Sequence, residues 1–252
     1  MDIQEPPEIK PSMNLTALLK IYAGESGADL VGIADLNPFK AAKFSLPADL
    51  LEPYVYAVSV AMRLDKEIID RITDHPTPEY AGHYRRINSA LDALTLGLSR
   101  WIQEKGCQAH PIPASHITDE KNLAGNISHK AVARMAGIGW QGKSLLIVTP
   151  EFGPRIRLAT ILTDMPLEPD TPLKNRCGKC TECAKACPSS AIKNASTESH
   201  YSDREEALHF SKCAGKTVEF STMPGIGARI CGVCVMACPF GRKSRSGSPE
   251  AC

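Results

Sequence analysis

The sequence predicts an α+β protein in two parts. An α/β domain spans residues 1–166, a small cysteine-rich domain spans 167–243, and a disordered tail runs over 244–252. Three observations carry this reading. Helical and strand-like periodicities alternate up to about residue 165. A polar stretch with prolines, LEPDTPLKNR (167–176), follows and has the composition of a linker. Of ten cysteines, only Cys107 precedes that stretch.

Taken in order, residues 1–13 form a loose arm. LTALLKIYAGE places apolar residues at helical spacing, with Asn14 as its N-cap. GADLVGIADL (27–36) reads as a short buried strand, and VYAVSVAM (55–62) as a strand covered on both faces. From Glu79 to Lys105, the residues Ile87, Leu91, Leu94, Leu98 and Ile102 recur at steps of four, three, four and four. Gly106 follows as a stop. Tyr84, near the start of this helix, is a candidate pocket residue. HKAVARMAGIGWQGK (129–143) reads as a short helix ending in a glycine turn. SLLIVT (144–149) and RIRLATILT (155–163) then read as a hairpin joined by PEFGP.

Composition narrows the function classes. Twenty-nine basic and 28 acidic residues give a net charge of +1, which offers no argument for nucleic acid or a membrane surface. No apolar run approaches the roughly 20 residues of a membrane span. The N-terminus MDIQEPPEIKPSMN lacks the basic and apolar regions of a signal peptide, so a cytoplasmic protein is expected. Clustered cysteines in that reducing compartment read as metal ligands.

The spacing specifies which metal chemistry. Cys177, Cys180, Cys183, Cys187 and Pro188 fit C-x₂-C-x₂-C-x₃-C-P, the run of two-cluster bacterial ferredoxins, whose fourth cysteine ligates the other cluster. Zinc sites pair their ligands differently. A second run, CGVCVMACP, supplies Cys231, Cys234 and Cys238 but has Ala228 where its first cysteine would stand. Exchange of Cys187 and Cys238 gives one [4Fe–4S] cluster Cys177, Cys180, Cys183 and Cys238. The other holds Cys187, Cys231 and Cys234. Its candidate fourth ligand is Cys213, on a loop that can return at small entropic cost. The alternative is a three-ligand cluster with Cys213 as a buried thiol. Cys107 reads as a packed thiol and Cys252 as non-ligating.

Outside the cysteines, His129 and His116 are candidate proton donors, with Tyr84 behind them. Gly137, Gly139, Trp140, Gly142, Lys143 and Ser144 form a compact turn. Such a turn can cradle a phosphate of a flavin or corrinoid. The alternative is a tight connection with Trp140 in the core.

The stretch AGIGWQGKSLLIVTPEFGPRIRLATILTD, then CGKCTECAKACP, Cys213 and CGVCVMACPFGR resembles the epoxyqueuosine reductases and, more distantly, the reductive dehalogenases. The resemblance is most specific over about residues 125–243. It implies a nitroreductase-like, cobalamin-binding α/β domain fed by two [4Fe–4S] clusters. It also implies a cysteine recruited between the runs, here Cys213, and a donor such as ferredoxin or flavodoxin. The implied acceptor is a corrinoid, with flavin as the other cofactor considered, or a small-molecule substrate. Two departures are expected to matter. Leu123 stands where the epoxyqueuosine reductases carry an aspartate, with Asp119 and Glu120 out of register. The helical-repeat extension that helps those enzymes hold tRNA is not present in this sequence, so tRNA is not expected as substrate. A different class of function is an electron-transfer protein or reductive activator of a corrinoid protein, without its own substrate.

Overall fold

The computed structural model describes residues 14–42, 47–199 and 201–242. The expected arm and tail, with Cys252, lie outside them.

Helix α1 (Leu15–Glu25) begins at Asn14, whose side chain accepts a hydrogen bond from the Thr16 N–H. Strand β1 (Leu30–Asp35), the short helix α2 (Asn37–Ala42), strand β2 (Tyr56–Arg63) and helix α3 (Lys66–Asp70) follow. Helix α4 (Pro78–Glu104) is the long helix the periodicity predicts. Thr77 caps it, Pro78 opens it, and Gly106 beyond its end takes φ +80°. Strand β3 (Ala109–Ile112), helix α5 (His129–Met135), the two-residue strands β4 (Trp140–Gln141) and β5 (Ile147–Val148), and strand β6 (Ile156–Thr163) complete the α/β part. Helices α6 (Glu182–Ala186), α7 (Arg204–Ala207), α8 (Phe210–Ser221) and α9 (Val233–Ala237) belong to the cysteine-rich part.

The main sheet has the order β1-β2-β6-β3, all antiparallel. Alternation along β2 sorts its side chains. Val58 and Val60 pack under α1 and α4 with Leu19, Leu91, Leu98 and Ile102. Ala57 and Ala61 face α2 and α5 with Phe39, Val132 and Ala133. The sheet is therefore covered on both faces.

Two readings need correction. The predicted hairpin between 144–149 and 155–163 does not form. Instead β5 pairs with β4, while β6 enters the main sheet between β2 and β3. The apolar residues of β6 are buried on both faces, which suits a central strand better than half of a two-stranded ribbon. Strand β3 was not predicted, because Pro111 interrupts its pattern; β3 lies at the sheet edge, where proline is tolerated.

The stretch 167–176 has no regular structure but is fastened to the domain. Leu167 is buried, and the Asp170 carboxylate accepts from Lys20 Nζ at 2.7 Å and from the Ile33 N–H at 2.8 Å. The start of α4 also packs on the cysteine-rich part: Tyr80 and Ala81 share one core with Ile226, Ile230 and Val233.

Candidate functional site

The two cysteine runs fold alike. Cys177 and Cys180 precede α6, which holds Cys183; Cys231 precedes α9, which holds Cys234; and each helix ends at a cysteine leaving in extended conformation. Cys187 has φ −63° and ψ 114°; Cys238 has φ −63° and ψ 127°. Gly178 and Gly232 take positive φ, 50° and 85°, at the bends of the two loops. Helices α6 and α9 pack together, so the C-terminal cysteine of each run reaches the other run's loop.

The thiols fall into two sets. Burial pushes Cys238 up to about 12, and its charged neighbours include Cys177 and Cys183. Burial, then Cys177 and Cys180, push Cys183 up to about 11. In the second set, burial and then Cys213 and Cys187 push Cys231 up to about 11. Cys234 is raised further by burial, then by Cys231 and Cys213. Cys213, on α8, is raised by burial and by Cys187. Clustered buried thiolates repel one another and lack water; a bound cationic core removes both penalties. All the described cysteines are free thiols. Among the described residues no three His, Cys, Asp or Glu side chains converge as they would around a single metal ion. Four sulfur donors per set, without histidine or carboxylate, fit a [4Fe–4S] cluster.

The α/β part holds these loops with buried polar side chains. The Trp140 indole N–H donates to Cys177 Sγ at 3.4 Å, and Lys143 Nζ donates to the Cys180 carbonyl at 2.9 Å. Arg155, 2 % exposed, donates to the carbonyls of Phe240, Met236 and Cys238 at 2.6, 3.0 and 3.3 Å. The PEFGP loop closes on the same segment: a Cβ on Gly153 would stand 2.1 Å from the Phe240 carbonyl oxygen.

Gly137, Gly139, Trp140, Gly142, Lys143 and Ser144, read from the sequence as a turn that could cradle a phosphate, are not among the residues lining the cavity beside them. They pack beneath the first cysteine loop and against β5; a Cβ on Gly139 would stand 2.4 Å from the Val148 carbonyl oxygen. Close helix-to-hairpin packing explains these glycines.

A cavity of about 620 Å³ lies beside the turn. Its walls come from the loop 115–127, the start of α5, the β4–β5 hairpin, β6 and the segment around Tyr201. Leu145 and Leu146 line it; Leu145 belongs to the buried cluster against which Cys187 and Cys213 pack, and Leu146 packs against the same cluster as Cys231. The second cysteine set and the cavity therefore share a wall. Lys130, Arg157 and Arg204 line the cavity, and among the described residues no Asp or Glu does. Burial lowers the Lys130 ammonium to about 8, against the attraction of Cys213.

The sequence candidates occupy different positions here. His129 lines the cavity, but Nε2 donates to the Pro113 carbonyl at 3.1 Å and Nδ1 accepts from the Thr160 hydroxyl at 2.7 Å. Burial lowers it to about 4, so it is a neutral, fully bonded imidazole rather than a proton donor. His116 is exposed outside the lining. Tyr84 stands one hydrogen bond behind the wall: its hydroxyl meets Ser115 Oγ at 2.8 Å and Arg157 Nη2 at 3.2 Å. Burial raises the phenol, but Arg157, Ser115 and Asn88 together outweigh it and lower the group. Leu123, with φ +49°, fills the family's aspartate position with an apolar side chain in the cavity wall. Asp119 turns away to cap Asn122. Sequence reasoning missed Lys130, Arg155 and Arg157. Arginines alternating with isoleucine at the start of β6 were the available signal.

The 4Fe–4S double cluster binding domain family matches residues 176–241. The epoxyqueuosine reductase of Listeria monocytogenes serovar 1/2a is 48 % identical over 68 residues, 27 % of this chain and 18 % of that protein. The tetrachloroethene reductive dehalogenase of Sulfurospirillum multivorans is 27 % identical over 278 residues, 94 % of this chain and 52 % of that protein. A solved reductive dehalogenase linked to B12-dependent dehalogenation shares the fold. Its TM-score is 0.72 at 20 % identity, over 96 % of this chain and 34 % of that one. The matched regions thus span about half or less of these proteins' own lengths. Residues 176–241 thus match a 4Fe–4S double cluster binding domain, and the chain is similar to epoxyqueuosine reductases and reductive dehalogenases. Among the described residues no helix is long and apolar enough to cross a membrane.

Proposed function

We propose that the chain is a reductase that passes single electrons through two [4Fe–4S] clusters to an acceptor in the 620 Å³ cavity. Cys177, Cys180, Cys183 and Cys238 would hold one cluster; Cys187, Cys213, Cys231 and Cys234 would hold the other. The observation that carries the proposal is the wall shared by the second set and the cavity, which makes that set the last stop before the acceptor. At the first set, Gly178 and Lys179 are exposed, which suits entry of electrons from a ferredoxin or flavodoxin. On this reading the functional units are residues 1–166 and 167–243, working in the cytoplasm, where thiols stay reduced.

The acceptor we favour is a corrinoid, or a substrate reduced beside one. When bound, the clusters supply one-electron transfer and a corrinoid supplies the reducing centre. The chain's residues bind and orient. Since His129 has both nitrogens engaged, a corrinoid would be held here by packing and hydrogen bonds, without an imidazole ligand from the cavity wall. Three cations and no carboxylate favour an acceptor with an anionic group. On this reading Tyr84 delivers a proton through the Ser115 hydroxyl, with Arg157 stabilising the phenolate that is left. The net charge of +1 favours a small acceptor over tRNA.

Anaerobic reconstitution followed by iron analysis and cobalamin titration tests this. About eight irons per chain, two cubanes, and saturable cobalamin binding are expected. Eight irons without cobalamin binding would remove the corrinoid and leave the activator reading, in which electrons pass to a separate corrinoid protein.

A further inference from the structure

Trp140 brings a side-chain N–H of the α/β part to a cysteine sulfur. Its ring is 1 % exposed, set edge-on to Phe240 with centroids 4.9 Å apart and flanked by the Arg176 guanidinium at 5.8 Å. Its N–H is directed at Cys177 Sγ, 3.4 Å away. Cys177 is fixed in turn, because its own N–H donates to Asn175 Oδ1 at 2.8 Å. Asn175 Nδ2 donates to the Gln141 carbonyl, on the same two-residue strand as Trp140, at 3.0 Å. Gly142 lets the hairpin approach, since a Cβ there would lie 3.5 Å from Cys177 Sγ and 2.8 Å from Val148. Ring, sulfur and loop are thus held in one register by several independent contacts.

The second set is served differently. Cys187 Sγ accepts from the Ala191 N–H at 3.3 Å and meets the Ser189 hydroxyl at 3.6 Å, both from its own run. The first set has local donors as well, from Phe240 to Cys238 and from Ala184 to Cys183, and adds to them an N–H from another part of the fold, that of Trp140.

We propose that Trp140 is a positioning residue that raises the reduction potential of the cluster held by the Cys177 set. The reason is electrostatic. Reduction adds one electron, which increases negative charge on the thiolate sulfurs. An N–H donor stabilises the reduced form more than the oxidised one, and hydrogen bonds to the sulfurs are among the determinants of cluster potential. The sulfur is half-buried and its donor residue only 1 % exposed, so water competes little for the indole N–H and the bond is stronger than in solvent. Packing of the β4–β5 hairpin therefore sets the potential at which the chain takes up electrons. This inference rests on the cluster assignment above.

The test is an EPR-monitored redox titration of the reconstituted full chain, wild type against two variants. Trp140→3-benzothienylalanine keeps the ring shape and lacks the N–H; W140F removes the donor and part of the ring, and its packing loss makes it the less reliable folder. The expected result is a shift of one of the two midpoint potentials to more negative values in the isosteric variant. The other midpoint should not move, and about eight irons per chain should remain. Eight irons with both midpoints unmoved in that variant overturn this inference alone. A wild-type chain that takes up no iron overturns the cluster assignment and this inference with it.

Discussion

His129 shows how a residue type can be legible and its role not. Its place after Ser128 at the start of a helix made it a candidate proton donor. The fold then satisfied both ring nitrogens, with Thr160 from β6 and Pro113 from a distant loop. The consequence is measurable. The group titrates at about 4 in the folded chain against an ordinary 6.5, so the unfolded chain binds more protons between those values. Stability from this histidine is complete above pH 6.5 and is lost as pH falls toward 4, on the order of 3 kcal/mol over the whole window. Urea unfolding at pH 7 and pH 5 should show a larger acid-induced loss for wild type than for H129Q. Equal losses would mean the imidazole is not held neutral. Tyr84, the candidate named behind His129 and His116, meets the hydroxyl of the cavity residue Ser115.

Helices α1 and α4 and strands β1 and β2 were readable because each has its own periodic pattern and, for the helices, its own cap or stop. Strand β6 was read correctly as a strand and given the wrong partner. A strand pattern reports which faces are buried and is silent about its neighbour, so PEFGP looked like a hairpin turn when it is a clasp on Phe240 and Gly241. Close approach between elements also leaves little trace beyond a glycine. On β1, a Cβ at Gly32 would lie 2.0 Å from the Ala136 carbonyl oxygen at the end of α5. Neither backbone can yield cheaply, because Gly32 is paired to Ser59 in the sheet and Ala136 closes the helix. Gly32→Ala should therefore destabilise the chain by about 2 kcal/mol or more, by overpacking. A shift in urea midpoint with unchanged slope checks it, with Gly97→Ala, which meets nothing within 4 Å in the interior of α4, as the contrasting variant expected to gain about 1 kcal/mol from helix propensity.

At the scale of the whole molecule, the proposed electron route runs from the exposed Gly178–Lys179 loop through the first and second sets to the cavity wall. Cys213 is the residue that tests it. C213A should alter or remove one of the two cluster signals in the EPR spectrum of the reduced chain and leave the other, while C107A should leave both. Two unaltered signals in C213A would instead favour a three-ligand second cluster. The sequence by itself determined the ligand chemistry, because thiolate spacing within a short loop is a local property that survives any choice of fold. It also determined the double-cluster module and most of the α/β elements. Only the tertiary structure decided what surrounds the module. The glycine turn became a support for Cys177, Arg155 became the anchor of the second run, and Lys130, Arg157 and Arg204 met around one cavity beside the second set. Those relations join residues tens of positions apart through sheet order and helix packing, and no local pattern of side chains encodes them.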